Sequence, residues 1–381
     1  MAIEKIHIEQ FMELSGLFPV LDVRSPAEYR HAHMPGAFSL PLFSDEERKI
    51  IGTTYKNKSR EEAIKLGLDF FGPKMRDMVE QVEKILVDHL ASTEKTGLKR
   101  IASKTVLVHC WRGGMRSGAV SWLLDLFGFK VFTLVGGYKK FRNYVLDTFT
   151  LPFNFKVLGG YTGSGKTETL KELEKKDETV IDLEEIAKHK GSAFGNIGMP
   201  PQPGQEMFEN ILALQLRSKI EKSEQKKGNT GISHSPYALL NSPIWLEDES
   251  QRIGLVNLPN KLWATMRKSP VYFLEIPFEE RLNHIVEEYG NLDKQRMIDA
   301  IGRIREKLGG LNAQLAIEYL EEGNTLESFR ILLKYYDKFY LKALHNREGL
   351  HSLLHTIECK TVTPENANRL VAAPQYQHEK P

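Results

Sequence analysis

The segment His109-Cys110-Trp111-Arg112-Gly113-Gly114-Met115-Arg116-Ser117 gathers a thiol, a diglycine and two arginines into a few residues. Glycines let successive backbone N–H groups curl inward as an anion nest, and a helix starting just behind them adds partial positive charge. That field, with Arg112 and Arg116 close by, is expected to lower the pKa of Cys110 and favour the thiolate. A thiolate attacks sulfur, selenium or phosphorus centres. The same loop would hold an oxyanion on Arg112, Gly113, Gly114 and Arg116. Free cysteines are more often buried and inert, but a core cysteine needs neither a diglycine nor two arginines. Cys359, in His355-Thr356-Ile357-Glu358-Cys359-Lys360, has no such surroundings and reads as packing. His109 reads as a residue that orients the loop, and no catalytic role is assigned to it.

A second cluster is Gly160-Tyr161-Thr162-Gly163-Ser164-Gly165-Lys166-Thr167, which fits G-x-x-x-x-G-K-[ST] with a strand before it and a helix, Glu168 to Glu174, after it. Gly160, Gly163, Ser164 and Gly165 would bring backbone N–H groups around a diphosphate. Lys166 would neutralise its outer oxygens, and the Thr167 hydroxyl could ligate a magnesium ion. No tightly bound cofactor is expected beyond magnesium accompanying the diphosphate. Asp182, or the cluster Glu247-Asp248-Glu249, could supply a carboxylate beside that metal, and both also read as solvated acidic turns. The loop does not identify the group attached to the diphosphate.

These two loops need strands ahead of them and helices behind. Phe18–Val23 reads as a buried strand leaving into Arg24-Ser25-Pro26, and Ala27–His31 can start a helix. Thr105–His109 is a β-branched strand ending on the cysteine, and Ser117–Leu126 reads as its helix. Lys130–Val135 is another buried strand, closed by Gly136-Gly137. Ser44 to Arg100 is charged, helical in pattern and longer than a crossover requires, which marks an insertion. From Thr148 to Asn154 the apolar periodicity lapses at Pro152 and a new strand, Phe155–Leu158, begins; the domain boundary is placed there. Thr179–Leu183, Ser242–Leu246 and Val271–Ile276 are further strands separated by helical segments, the alternation of a doubly wound parallel α/β sheet. Met297 to His355 is rich in helix formers, and Ala373 to Pro381 reads as a frayed end. The Gly/Pro-rich stretch from Lys190 to Pro203 reads as a lid or a plain connector. Arg281, Arg296, Arg303 and Arg305 read as solvated helix faces in preference to a phosphate track.

At 381 residues, 41% hydrophobic and 27% charged, the chain is large enough for two domains of ordinary globular composition. Its formal charge of +2 carries no bulk signature of a nucleic-acid binder, so any RNA contact must be local. Two cysteines cannot make a disulfide framework, which fits a reducing compartment. The amino terminus lacks a secretory pattern, and the most apolar stretch, Ala119–Val135, is interrupted by Asp125, Gly128 and Lys130. A cytoplasmic protein with no membrane segment is expected.

Asp22-Val23-Arg24, Glu28-Tyr29 and His33-Met34-Pro35-Gly36-Ala37, together with the cysteine loop, resemble rhodanese-fold domains. That fold implies sulfur-transfer chemistry or, since Cys110 to Arg116 spells Cys-x5-Arg after His109, a phosphatase fused to a kinase-like P-loop domain. The loop is one residue longer than a simple rhodanese loop. A rhodanese-like domain over residues 1–148 followed by a P-loop NTPase-like domain with a helical C-terminal part over 149–381 is similar to the bacterial tRNA 2-selenouridine synthases. The resemblance also rests on Asp45-Glu46-Glu47-Arg48, Gly52-Thr53-Thr54-Tyr55-Lys56, Gly136-Gly137-Tyr138-Lys139, Glu247-Asp248-Glu249-Ser250 and Arg252-Ile253-Gly254. It implies a transferase that replaces the sulfur of wobble 2-thiouridine in tRNA by selenium. Geranyl diphosphate would first alkylate the sulfur, and selenophosphate would then supply the selenium. Cys110 would serve the selenium half, and Lys166 and Thr167 the geranyl half. A nucleotide-regulated binding module is the remaining reading.

Overall fold

The computed structural model describes residues 3–94, 104–226, 243–290 and 292–372. Chain contacts divide it into two units, Met1–Asp147 and Thr148–Pro381.

The first unit is built on a five-stranded, wholly parallel sheet. Its strands are β1 (Glu4–Ile6), β2 (Val20–Asp22), β3 (Phe38–Ser39), β4 (Thr105–His109) and β5 (Lys130–Leu134), in the order β1-β5-β4-β2-β3. The helices are α1 (Ile8–Ser15), α2 (Pro26–His31), α3 (Asp45–Asn57), α4 (Arg60–Phe71), α5 (Met75–Glu94), α6 (Met115–Leu126) and α7 (Gly137–Thr148). All five residues of β4 are buried, as a central parallel strand covered on both faces requires. Strands β1 and β3 escaped the sequence reading because runs of two or three residues carry no readable period. The stretch expected to be an insertion is α3, α4 and α5, as far as the described residues reach. It is not peripheral: Phe71, Met78, Val79 and Val82 join Val106, Val108 and Cys110 in one core. Ser44 starts α3 with a capping box, its hydroxyl accepting from Glu47 N at 3.2 Å while the Glu47 carboxylate accepts from Ser44 N at 2.8 Å.

The second unit has its own parallel sheet, of β6 (Phe155–Gly160), β7 (Thr179–Ile181), β8 (Ile244–Glu247), β11 (Val271–Glu275) and β12 (Leu354–Glu358), in the order β12-β11-β6-β8-β7. A short hairpin, β9 (Arg252–Ile253) with β10 (Val256–Asn257), stands apart from it. Around them lie α8 (Lys166–Lys175), α9 (Leu183–Ala187), α10 (Gln205–Lys226) and α11 (Asn260–Arg267), followed by α12 (Phe278–Tyr289), α13 (Lys294–Leu308) and α14 (Gly310–Glu321). α15 (Thr325–His345), α16 (Leu350–Leu353) and α17 (Ala367–Ala372) complete the set. The stretch expected to be helical to His355 instead turns into β12 at Leu354, pairing in parallel with β11. A sheet edge claims those residues, and a tertiary contact overrides helix propensity. Helices α12 to α15 enclose a separate core that includes Leu282, Ile301, Phe329 and Leu332. Ser242 and Ala373 to Pro381 lie outside the described residues. No described helix is long and apolar enough to cross a membrane.

Candidate functional site

Cys110 follows β4 directly, and its thiol is buried at 3% exposure. The sulfur accepts from the Gly114 amide at 3.3 Å and lies 3.3 Å from Ser117 Oγ, which also reaches the Gly114 carbonyl at 3.1 Å. Burial alone would push the thiol up. The Ser117 hydroxyl and the amides of Ser117, Gly114 and Arg112 outweigh it and hold the thiol below its ordinary value. The direction and the backbone donors agree with the sequence expectation; the Ser117 hydroxyl joins them, and the arginine charges are not among the main causes.

Arg116, expected on the oxyanion, is held by Glu28, with Nη1 at 2.5 Å and Nη2 at 3.3 Å from its carboxylate oxygens. Burial pushes the Glu28 carboxyl up, but Arg116 more than compensates and keeps it below its usual range. Arg112 and Gly114 are exposed at the loop surface. A phosphatase arginine must face the transferring phosphoryl oxygens, and Arg116, the last residue of the Cys-x5-Arg pattern, is turned to Glu28 instead.

The loop's shape comes from a neighbour that the sequence shows as the end of a strand and as part of the family resemblance, with no link to the cysteine. In the Gly136-Gly137 turn that opens α7, Tyr138 N donates to the Cys110 carbonyl at 2.8 Å and Lys139 N to the Trp111 carbonyl at 3.0 Å. Gly113 and Gly137 have φ of 66° and 56°, and a Cβ on Gly113 would sit 2.5 Å from the Leu134 carbonyl. Neither position tolerates a side chain. Beneath the loop, Arg24 clamps Asp22 through Nε at 2.9 Å and Nη2 at 2.6 Å, and its guanidinium lies 3.7 Å over the Tyr138 ring. Buried His109 stands 3.8 Å from Asp22, neither ring nitrogen has a hydrogen-bond partner among the described residues, and burial lowers its pKa. It faces the support of the loop. Cys359 is buried in the second unit's core, where burial raises its thiol.

In the second unit the glycine-rich loop joins β6 to α8. Gly163 and Gly165 have φ of 79° and 68°, and a Cβ on Gly163 would meet Ile285 Cδ1 at 2.7 Å. Gly163, Ser164, Gly165, Lys166 and Thr167 line one end of a cavity of about 840 Å³. Gly160 does not line it; it sits behind, its amide donating to the Tyr340 hydroxyl at 3.2 Å. Lys166 Nζ folds back on the Gly160 and Tyr161 carbonyls at 3.0 and 3.4 Å, and the Ser164 hydroxyl is buried without a partner among the described residues. The rest of the lining mixes aromatic side chains, among them Trp263, Tyr289, Tyr335, Tyr336 and Phe339, with charged ones such as Lys190, Glu249 and Arg267.

Arg281 is neither a solvated helix residue nor a phosphate track. It is 3% exposed, donates to the Thr162 carbonyl of the loop at 3.0 Å and grips Asp337 at 2.9 and 2.8 Å. Arg296 and Arg303 likewise bind carbonyls, those of Asn196 and Ala193, at 2.9 and 2.8 Å. The Lys190–Pro203 stretch they brace is pinned further by buried Phe194 and Ile197, so it packs as part of the helical core.

The acidic candidates separate. Asp182 caps α9 by accepting from Glu185 N at 2.7 Å. Glu247 accepts from Leu183 N at 2.9 Å through one oxygen, while the other is buried without a partner among the described residues. Burial, then the nearby Asp182 and Glu184 charges, push its carboxyl well above the ordinary range. Burial and Glu184 do the same to Glu249. Asp248 turns the other way, to Tyr340 at 2.8 Å and to buried Arg347 at 2.5 Å. The carboxylate beside the Thr167 hydroxyl, at 3.4 Å, is Glu184, which the sequence reading did not single out. Nothing in the pattern of α9 separates it from an exposed helix acid. Among the described residues no three His, Cys, Asp or Glu side chains are grouped to enclose a metal ion.

With this geometry in hand, the comparisons add two matching family models: a tRNA 2-selenouridine synthase AAA domain over residues 153–362 and a rhodanese-like domain over residues 8–144. Three similar proteins, each named tRNA 2-selenouridine synthase, come from Sulfurovum sp. strain NBC37-1, Hydrogenovibrio crunogenus and Nitrosomonas europaea. They are 33%, 34% and 30% identical, over 84%, 84% and 88% of this chain and 87%, 88% and 92% of their own lengths.

Proposed function

The chain belongs to the tRNA 2-selenouridine synthase family, and from that membership we propose that it replaces the sulfur of wobble 2-thiouridine by selenium through an S-geranyl intermediate. The observation that carries the two-step reading is the pairing in one chain of a thiolate-favouring cysteine loop with a phosphate loop that opens on an aromatic-walled cavity. Sulfur on a thiouridine leaves poorly. Alkylated by geranyl diphosphate, it leaves as a thiol.

In the first step the thiouridine sulfur attacks the allylic carbon of geranyl diphosphate, and the carbon–oxygen bond breaks to release diphosphate. The amides of Gly163 to Thr167 and the Lys166 ammonium stabilise the charge that develops on that leaving group. The aromatic wall suits the hydrocarbon. Thr167 Oγ1 and the Glu184 carboxylate are hard oxygen donors of the kind that fit a magnesium ion held mainly by phosphate and water, which would neutralise the diphosphate.

In the second step selenium from selenophosphate forms a bond to C2 of the base, the C2–S bond breaks and geranyl thiol departs with a proton. The selenium–phosphorus bond is cleaved by water, leaving phosphate. Cys110 either attacks the phosphorus, forming an S–P bond as the Se–P bond breaks and yielding phosphate and the thiol again with water, or orients selenophosphate, whose oxygens Arg112 and the loop about Gly113 and Gly114 would bind. Arg116, tied to Glu28, braces the rim of that cradle.

The full chain, incubated with an anticodon stem-loop RNA bearing 2-thiouridine, geranyl diphosphate and selenophosphate, tests this by mass spectrometry. The S-geranyl species is expected to rise first and give way to 2-selenouridine. Selenouridine formed at the same rate without geranyl diphosphate would overturn the intermediate.

A further inference from the structure

The first unit holds an apolar cavity of about 370 Å³ that none of the chemistry above uses. Phe43, Ile51, Ala63, Leu68 and Phe71 from α3, α4 and the approach to them form most of its lining, and Met115, Arg116 and Ala119 of α6 close it. Tyr55, Ile64, Leu68 and Met115 are partly exposed at 52%, 37%, 57% and 52%, so an apolar surface that a soluble domain would normally cover is left at this opening. The floor matters most. α6 is the helix whose first turn carries Ser117 and follows Gly114, the two donors to the Cys110 sulfur. One helix thus presents an anion cradle at its N-terminus and an apolar pocket on its side, with Arg116 and Arg48 both drawn to Glu28 between them.

We propose that this pocket binds the geranyl group of the S-geranyl nucleotide while selenium displaces it at the Cys110 loop, so that the first unit recognises its substrate by the hydrocarbon on the sulfur. The inference rests on the two-step reading above and adds a second hydrocarbon site, separate from the aromatic cavity of the phosphate loop. The volume lies near the lower end of small-ligand pockets, about 300–1,000 Å³, and the lining is almost wholly aliphatic and aromatic. A nucleobase would leave its polar edges unpaired there, which costs too much. An acyclic terpenyl chain has no polar edge to leave unpaired. Such a pocket also supplies selectivity: an unalkylated thiouridine gains nothing from it, so selenium is directed to the sulfur already prepared to leave.

The test uses the full chain, selenophosphate and two stem-loop RNAs, one with S-geranyl-2-thiouridine and one with S-methyl-2-thiouridine, made chemically. Burial of a methylene is worth roughly four-fold in binding, so kcat/KM for wild type is expected to favour the geranyl RNA by at least about 100-fold. Leu68→Trp, which fills the pocket from its rim, should cut that preference at least ten-fold, and Ile64→Asp, which puts charge on its wall, should do likewise. Because the readout is a ratio between two substrates, partial misfolding lowers both rates and leaves it unmoved. An unchanged preference in both variants, or no preference in wild type, overturns the pocket while leaving the intermediate standing. Wild type that converts neither alkylated RNA, yet converts 2-thiouridine RNA with selenophosphate alone, overturns the two-step reading itself and this site with it.

Discussion

The two anion cradles share one recipe, a buried parallel strand, a glycine loop and a helix N-terminus, but they are stiffened from different places. The cysteine loop is braced from its own sheet: by the Gly136-Gly137 turn that follows β5, by Ser117 in the first turn of α6, and by the Asp22–Arg24 clamp, two strands away in sequence but adjacent in the sheet. The phosphate loop is braced by helices more than a hundred residues on, through Arg281 to Thr162 and Tyr340 to Gly160. Their electrostatics differ as well. In the first loop the amides are turned onto the protein's own sulfur, so the anion they stabilise is a nucleophile. In the second they surround a cavity next to Lys166, so on the proposed chemistry the anion they stabilise is a leaving group. On that proposal one cradle makes an attacker and the other receives what departs.

Opposite phenotypes would sharpen that contrast most. Cys110→Ala should stop 2-selenouridine formation while S-geranyl RNA accumulates, and the size of the loss distinguishes two roles. A fall on the order of 10⁴-fold or more marks a nucleophile that takes the phosphoryl group from selenium, whereas about 10²–10³-fold marks a group that only stabilises the bound oxyanion. Lys166→Ala should slow geranyl transfer by about 10²–10³-fold and leave selenation of pre-geranylated RNA intact. Nucleoside mass spectrometry of both reactions reads all four rates. Selenation lost in both variants, with geranyl transfer untouched in both, would break the division of labour.

The different bracing should appear as different stability losses. Arg281→Met strips a buried ion pair and leaves Asp337 and the Thr162 carbonyl without their donor, which costs about 3–5 kcal/mol. Arg116→Met removes a pair whose side chains are 20% and 19% exposed, and should cost about 1 kcal/mol or less. Hydrogen exchange of the β6 and β4 amides separates the two units and measures each loss. Equal losses would mean that the local bracing of the cysteine loop depends on Arg116 as heavily as the phosphate loop depends on Arg281.

That same contrast governs what could be read from the amino acids alone. The central strands and both loops were legible because strand, glycines and reactive side chain are contiguous, and a contiguous motif carries its own geometry. Cys110 was found this way, and so was Lys166. The supports were not. Tyr340 and Arg281 sit in helices whose spacing only says amphipathic, and the loop atoms they hold are 180 and 119 positions away. Glu184, beside Thr167, has the appearance of any acid in a helix's first turn. Arg116 misled because its place in the motif suggested an anion ligand, while Glu28, brought in by the parallel pairing of β2 with β4, claims it. Sequence shows what is local; long-range partners emerge only when the sheet order is known.

The smallest effect concerns the acids under the phosphate loop, which have no counterpart under the cysteine loop: there Asp22 is met by His109 and Arg24, which hold its carboxyl below the ordinary range despite burial. Glu247 has no such cation among the described residues, and burial with Asp182 and Glu184 nearby raises it well above that range. In the pH window between the ordinary glutamate value and this raised one, the folded chain keeps the proton that the unfolded chain has lost. Folding stability therefore falls as pH rises through the window, by up to about 1.4 kcal/mol per pH unit for one proton. Glu247→Gln keeps the carbonyl that accepts from Leu183 N and has no proton to lose, so its stability should decline less steeply than that of wild type, with Glu249 still titrating. Asp22→Asn should do the reverse. It forfeits stability that wild type holds above the ordinary aspartate value and loses only as pH falls through the depressed one. Denaturant midpoints of the three proteins from below pH 4 to pH 8 measure this. Parallel wild-type and Glu247→Gln curves would show that the acid beneath the phosphate loop is as fully compensated as the one beneath the cysteine.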